Sequence, residues 1–273
     1  MRMLFGRPGA SSRSLPASLL AIGLAVAAGW SSASGADEPP TVAAASDLQF
    51  ALTEVAEAFR AETVLEVRLT FGSSGNFARQ LRQGAPFELY LSADESYVLE
   101  LAREGLTRDD GALYAVGRIA IIAPHGSPLA ADGSLEDLRA ALEDGRVQKF
   151  AIANPEHAPY GRRAEEALRQ AGLWEAIEDR LVLGENVSQA AQFATSGSAQ
   201  GGIIAYSLAL SPKVSALGRF ELIPEEWHAP LRQRMVLIEH AGATAERFFA
   251  FVQEPAARAV MRRYGFVLPG EES

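Results

Sequence analysis

The sequence predicts an α/β chain folded as two lobes, and three observations predict it. Short apolar runs alternate with stretches whose apolar residues recur at helical spacing, the pattern of mostly parallel sheets flanked by crossover helices. Turns rich in Gly, Ser and Asn stand where those runs hand over to helices, at 46–47, 72–76 and 184–186. A longer apolar run at 115–123, broken by Gly117 and Arg118, reads as a strand that leaves one lobe and enters another. Two lobes joined by two crossing segments as a hinge fit better than one oversized sheet. The expected division is 37–118 with 226–273 for the first lobe and 119–225 for the second.

Residues 1–36 are set apart from this pattern. Arg2, Arg7 and Arg13 form a basic start, 19–30 is a short apolar run, and Ser34-Gly35-Ala36 offers small residues for cleavage. That is a secretory signal pattern, with the mature chain expected to begin near Asp37. Losing three arginines and no acid moves the formal charge from −9 to −12. Such an acidic chain is a poor partner for nucleic acid or an anionic membrane. A small anion is not excluded, because dipoles alone can build a site for it. The absence of cysteine excludes disulfides, thiolate nucleophiles and Cys-bearing zinc sites.

The elements follow in order. Residues 41–45 read as a buried strand, and Ser46 stands at the expected N-cap of a helix carrying Leu48, Leu52, Val55 and Phe59 on one face. Residues 66–71 alternate as a strand, Gly72-Ser73-Ser74-Gly75 breaks it, and Phe77 and Leu81 begin a short helix. A strand at 87–91 and a helix at 94–103 come next. Beyond the crossing, Ser134 is expected to cap a helix at 134–142, and 149–153 is a strand. Two prolines make 154–161 a rigid loop ahead of a helix at 162–171. A strand at 181–183, a helix at 187–195 capped by Asn186, and a strand at 202–205 follow. Strands at 220–223 and 235–238 lead back to helices at 245–252 and 256–264 and a final strand at 265–268.

A helix N-terminus presents unpaired N–H groups and partial positive charge. Ser46 and Ser74 are placed to add hydroxyls there, and Val187 a backbone N–H. Tyr160, at the end of the proline-fixed loop, can add a phenolic donor. Asp47 is expected to offer only its backbone N–H and to turn its carboxylate away from a bound dianion. Enzyme signatures are thin: the four histidines form no His-Glu-x-x-His, and no Gly-x-Ser-x-Gly, P-loop or dinucleotide fingerprint is present. A secreted serine hydrolase using the 72–75 turn with His157 is the alternative from another class. Arg162 and Arg163 read as a polar helix face.

Six landmarks then stand together: Ala-Ala-Ala-Ser at 43–46, Phe-Gly-Ser-Ser-Gly at 71–75, Gly-Ala-Pro-Phe-Glu-Leu at 84–89, Leu-Ser-Ala-Asp at 91–94, Asn-Pro-Glu-His-Ala-Pro-Tyr-Gly at 154–161 and Arg-Tyr-Gly-Phe at 263–266. In order and spacing the chain resembles the molybdate-binding periplasmic proteins of ABC transporters. The resemblance implies a type II periplasmic-binding-protein fold that closes over a tetrahedral oxyanion, held by hydroxyls and N–H groups without a cationic side chain. Carried over by position, it implies Ser46, Ser74, Tyr160 and Val187 as donors, with Ser73 as a secondary candidate. A late second-lobe tyrosine used in some members would fall at Ala205 or Tyr206, and Tyr160 is preferred. Asp47 stands where similar members have asparagine. The resemblance further implies no enzyme activity and no cofactor. Molybdenum enters only within bound molybdate, whose oxygens would face Ser46, Ser74, Tyr160 and Val187. Tungstate is expected as a second ligand and sulfate is the alternative oxyanion. A membrane permease is the implied partner of an exported, periplasmic monomer.

Overall fold

The computed structural model describes residues 38–271, so the expected signal segment lies outside the described residues. The chain opens on β1 (Thr41–Ala45), a central strand whose Val42, Ala43 and Ala44 have no exposed surface. A single 3-10 turn, Ser46–Leu48, leads into α1 (Gln49–Thr63), which buries Leu52, Val55 and Phe59 on one face. Next come β2 (Arg68–Gly72), α2 (Ser74–Arg82), β3 (Leu89–Ser92) and α3 (Glu95–Arg103). The Asp94 carboxylate caps α3 by accepting from the Ser96 N–H at 2.9 Å.

Strands β4 (Ala112–Gly117) and β5 (Ile119–Pro124) are separated by Arg118 alone, yet belong to different sheets. The second half continues through α4 (Glu136–Glu143), β6 (Phe150–Ala153), α5 (Pro159–Gln170) and the short α6 (Trp174–Ile177). Then follow β7 (Leu181–Gly184), α7 (Val187–Thr195), β8 (Gly202–Ala205), α8 (Tyr206–Ala209), α9 (Pro212–Ser215) and β9 (Gly218–Leu222). The chain returns as β10 (Leu231–Leu237) and finishes with α10 (Ala243–Val252) and α11 (Pro255–Arg263).

Two five-stranded sheets result, in the orders β2-β1-β3-β10-β4 and β7-β6-β8-β5-β9. In each, three strands are parallel, and the strand arriving from the other half (β10 in one, β5 in the other) pairs antiparallel on both sides. The sheets are therefore mixed. Both halves repeat one plan: a central strand, the next strand on one side of it, the one after on the other. Chain order reverses at the carboxyl ends of β1 and β6, where open α/β sheets form a crevice. Ser46, Ser73, Ser74 and Val187 follow closely on the carboxyl ends of parallel strands, and Tyr160 follows β6 after a short loop.

Three local expectations are corrected. Ser134 does not cap α4: Leu135, at φ 60°, holds the capping position, and the Asp132 carboxylate accepts from the N–H groups of Ser134 and Glu136, both at 3.0 Å. One carboxylate has more acceptor sites than a hydroxyl and serves several amides at once. Helix α5 begins at Pro159 and not at 162, because a proline at the first helical position forfeits no hydrogen bond. Residues 265–268 form no strand; a lone bridge joins Val267 to Val116.

Val64, the residue after α1, sits at φ 64° with its side chain 87% exposed. A β-branched residue in the left-handed region costs about 1–2 kcal/mol, and nothing buried offsets it here. Val64→Gly should therefore raise unfolding free energy by about 1 kcal/mol in a denaturant titration.

Candidate functional site

Each donor group is delivered by the end of a strand. Ser46 follows β1 and is 3% exposed. It opens the 3-10 turn and does not cap a helix by its side chain. Its Oγ accepts from the Ser188 N–H at 3.3 Å, so the hydroxyl proton remains free to point elsewhere. Ser73 and Ser74 follow β2. Ser73 occupies the N-cap position of α2, where its hydroxyl makes no capping bond and instead pairs with His157 Nδ1 at 3.0 Å. Ser74, the first residue of the helix, accepts from the Ala93 N–H at 3.0 Å through Oγ, again leaving its proton uncommitted. The Tyr90 hydroxyl holds the same turn by donating to the Ser74 carbonyl at 2.8 Å. The two serines thus share a design in which a backbone amide fixes the oxygen and frees the O–H.

The second half contributes Val187 and Tyr160. Asn186 caps α7 by accepting from Gln189 N–H at 3.1 Å, as its sequence position predicts. Val187 is then the first helical residue, and its N–H has no carbonyl partner within the helix. Tyr160 lies in the first turn of α5 and is 3% exposed. Ser46, Asp47, Ser73, Ser74, Tyr160 and Val187 all line one small cavity between the two halves. Small residues, including Ala45, Gly72, Ala93 and Ala158, complete the wall, and none of the lining residues is Arg, Lys or His. Tyr206 packs instead against Phe220, with ring centroids 6.1 Å apart, and neither it nor Ala205 lines the cavity. Arg162 and Arg163 pair outside the cavity, the former with the Tyr97 hydroxyl, the latter with Asp94 at 3.4 Å and Glu166 at 2.5 Å.

The halves meet around this cavity through direct bonds. Ser188 Oγ lies within hydrogen-bond distance of the Ser46 carbonyl at 2.8 Å and of Gln49 Oε1 at 2.9 Å, and Ser207 Oγ donates to the Asp47 carbonyl at 2.8 Å. On the far rim the Gly75 N–H donates to the His157 carbonyl at 2.9 Å. A Cβ at Gly75 would stand 2.7 Å from that oxygen, so only glycine permits the approach.

Asp47 departs from the simplest expectation. Its carboxylate is 1% exposed and does turn toward β10, but there it captures the hydroxyl expected to face a guest. Tyr160 Oη donates to Asp47 Oδ2 at 3.0 Å, and Gln233 Nε2 donates to the same oxygen at 2.7 Å. Gln233 Nε2 also reaches Tyr160 Oη at 3.1 Å, and its Oε1 accepts from Tyr114 Oη at 2.7 Å. Asp47 Oδ1 is buried without a partner. Burial pushes the Asp47 carboxyl up to about 6, against the lowering effect of its bonds to Gln233 and Tyr160. Burial first, and the neighbouring carboxylate second, hold the Tyr160 phenol protonated well above its ordinary range. A buried carboxylate with no cation at hand takes the neutral donors within reach. Gln233, Tyr114, Ser188 and Ser207 carry no sequence signal that foretells these roles, since each partner lies far away along the chain.

This donor set, buried and uncharged apart from Asp47, can hold a small anion through charge-assisted bonds. Comparison with known proteins places it. The family model for bacterial extracellular solute-binding proteins matches residues 40–267. The chain is 34% identical over 217 residues to the molybdate-binding protein ModA of Rhodobacter capsulatus, covering 78% of this chain and 82% of that one. Its fold superposes on the periplasmic molybdate-binding protein of Azotobacter vinelandii with a TM-score of 0.76 and 26% identity, over 84% of this chain and 99% of the other. The sulfate-binding protein SubI of Mycobacterium tuberculosis shares the fold at a TM-score of 0.69 and 15% identity, over 85% of this chain and 87% of that one.

Proposed function

This chain belongs to the bacterial extracellular solute-binding protein family, and from that premise we propose that it captures molybdate outside the cytoplasmic membrane and hands it to the permease of an ABC transporter. The observation that carries the reading is the convergence of neutral donors from both sheets on one cavity without a cation. Two serine hydroxyls with free protons and an unpaired helix-start N–H meet there. Only about 10 Å³ of the cavity is open to the centre of a water-sized sphere, far below the roughly 300–1,000 Å³ of pockets that take organic ligands, so it admits a compact ion and not an organic molecule. Neutral donors also discriminate: a protonated oxyanion would turn its own O–H against one of them and leave a buried group unpaired.

Ser46, Ser74, Val187 and the Asp47 N–H are the proposed contacts, with Tyr160 joining them under the condition set out below. Ser73 contributes through its link to His157. Tungstate, with the same charge and shape, is a second ligand. The periplasm is the proposed compartment, and opening and closing of the two sheet-bearing halves is the proposed means of capture and release. Calorimetric titration of the mature protein with molybdate, tungstate, sulfate and phosphate tests the reading. Binding of the first two in strong preference is expected; tight sulfate binding without molybdate would overturn it.

One geometric feature favours a second reading. His157 Nδ1 lies 3.0 Å from Ser73 Oγ, and its Nε2 lies 3.6 Å from Glu185 Oε2, the sequence of groups a serine hydrolase uses. Glu185 is 70% exposed in its side chain, and the three groups span the rim where the halves meet, so they serve better as a clasp. His157→Ala should keep molybdate affinity within about tenfold, since it removes one bond outside the donor set. Wild-type protein should show no turnover of p-nitrophenyl acetate. Turnover that vanishes in the variant would establish the hydrolase.

A further inference from the structure

The bonds around Tyr160 pose a counting problem. A phenol has one proton and two lone pairs. In this structure the proton goes to Asp47 Oδ2, and Gln233 Nε2 already donates into one lone pair. The Gln233 amide does not flip while Asp47 is ionised, because its Oε1 would then stand 2.7 Å from a carboxylate oxygen and would give up the Tyr114 proton it now accepts at 2.7 Å. Tyr160 therefore has no proton to offer an anion while Asp47 is an acceptor, although both line the same cavity. We infer that Asp47 is a positioning residue that takes up one proton when the oxyanion binds, turning Tyr160 from a donor to Asp47 into a donor to the anion.

The proton balance closes. Asp47 takes a proton from water onto Oδ2. That O–H donates into the free lone pair of Tyr160 Oη, alongside Gln233 Nε2, and the Tyr160 proton swings to an anion oxygen. No heavy atom need move far, since Asp47 Oδ2 and Tyr160 Oη are already 3.0 Å apart. Two further observations agree. Asp47 Oδ1 is a buried acceptor with no partner among the described residues, so the ionised carboxylate has few donors where it stands. Its proton affinity is already raised to about 6 by burial, and a dianion in the same cavity can only raise it further.

The groups facing Asp47 offer no competing explanation. Tyr160 from α5 and Tyr114 from β4 are held protonated by burial, Gln233 from β10 and the nearby Asp47 and Leu48 amides are neutral donors, and Ser207 from α8 bonds the Asp47 carbonyl at 2.8 Å. None of the largest influences on its proton affinity is a cation. The sign follows. Below about pH 6 Asp47 already carries its proton, and binding takes up none. Above it, each anion brings one proton, and affinity falls about tenfold per pH unit.

This inference rests on the oxyanion-binding reading, and the test separates the two. Molybdate is titrated calorimetrically at pH 7.5 in two buffers of different ionisation enthalpy, and affinity is measured from pH 6.5 to 8.5, for wild type and Asp47→Asn. Wild type should take up close to one proton per molybdate and lose about tenfold in affinity per pH unit. Asp47→Asn, which offers a permanent side-chain N–H donor, should take up none and bind with a flat pH profile. A wild-type count near zero overturns the coupling whatever the variant does, and so does a variant that keeps the slope. Absence of binding by any oxyanion would instead remove the functional reading, and the coupling with it.

Discussion

Replacing Ser46 and Ser74 together by alanine should lower molybdate affinity by about a hundredfold or more, with each single change accounting for roughly 1–3 kcal/mol. Each serine oxygen is fixed by a backbone amide, from Ser188 at 3.3 Å and from Ala93 at 3.0 Å. Each therefore presents a pre-aimed proton, and alanine removes it, leaving the unpaired Ser188 and Ala93 amides set back behind the missing oxygens. The loss should appear mainly in the dissociation rate, because the encounter with an open cleft does not need these protons. The folded state has little to lose: the Ser188 and Ala93 amides lose one acceptor each, about 1 kcal/mol apiece. Titration calorimetry with thermal unfolding separates the two effects. Unchanged affinity in the double variant would show that the guest sits elsewhere.

Gly117→Ala should weaken molybdate binding by about tenfold or more while leaving the unliganded protein folded. Gly117 ends β4, and a Cβ there would lie 2.3 Å from Tyr160 Oη and 2.6 Å from Gln233 Nε2. Tyr160 belongs to the other sheet's α5, so the collision with its hydroxyl occurs only when the halves are together, whereas Gln233 shares the sheet of Gly117 and must shift its amide in either arrangement. Overpacking of this kind costs about 1–3 kcal/mol, and the Tyr160 share of it is drawn from the closed arrangement alone. Small-angle scattering should show the variant more extended at saturating molybdate than wild type. A variant that binds and compacts as wild type does would mean that Tyr160 moves aside at no cost.

Much of this was legible in the sequence because local physics decided it. β1 is an unbroken run of small and apolar residues, α1 carries its buried face at helical spacing, and Asn186 caps α7 where its position says it should. The cavity residues were legible for the same reason: each stands at a strand-to-helix turn, and parallel sheets bring such turns to one edge. What stayed hidden was pairing at a distance. Gln233 reads as one more inward position of a strand, and only the fold brings it, across 186 residues, to Asp47. The exchange of the Tyr160 proton for an Asp47 contact was equally invisible, since it depends on an amide orientation set by Tyr114. The four-residue helices α6, α8 and α9 were missed because so short a segment has no period to detect.

Arg118 alone separates strands hydrogen-bonded into different sheets. A peptide link is stiff, and one residue supplies only two soft torsions. On that side the sheets can swivel about a near-fixed point but cannot slide past each other. The segment 223–230, between β9 and β10, has more torsions to spend and must follow the swivel. The opening proposed above would then travel farthest at the rim most distant from Arg118, and that rim would be the doorway.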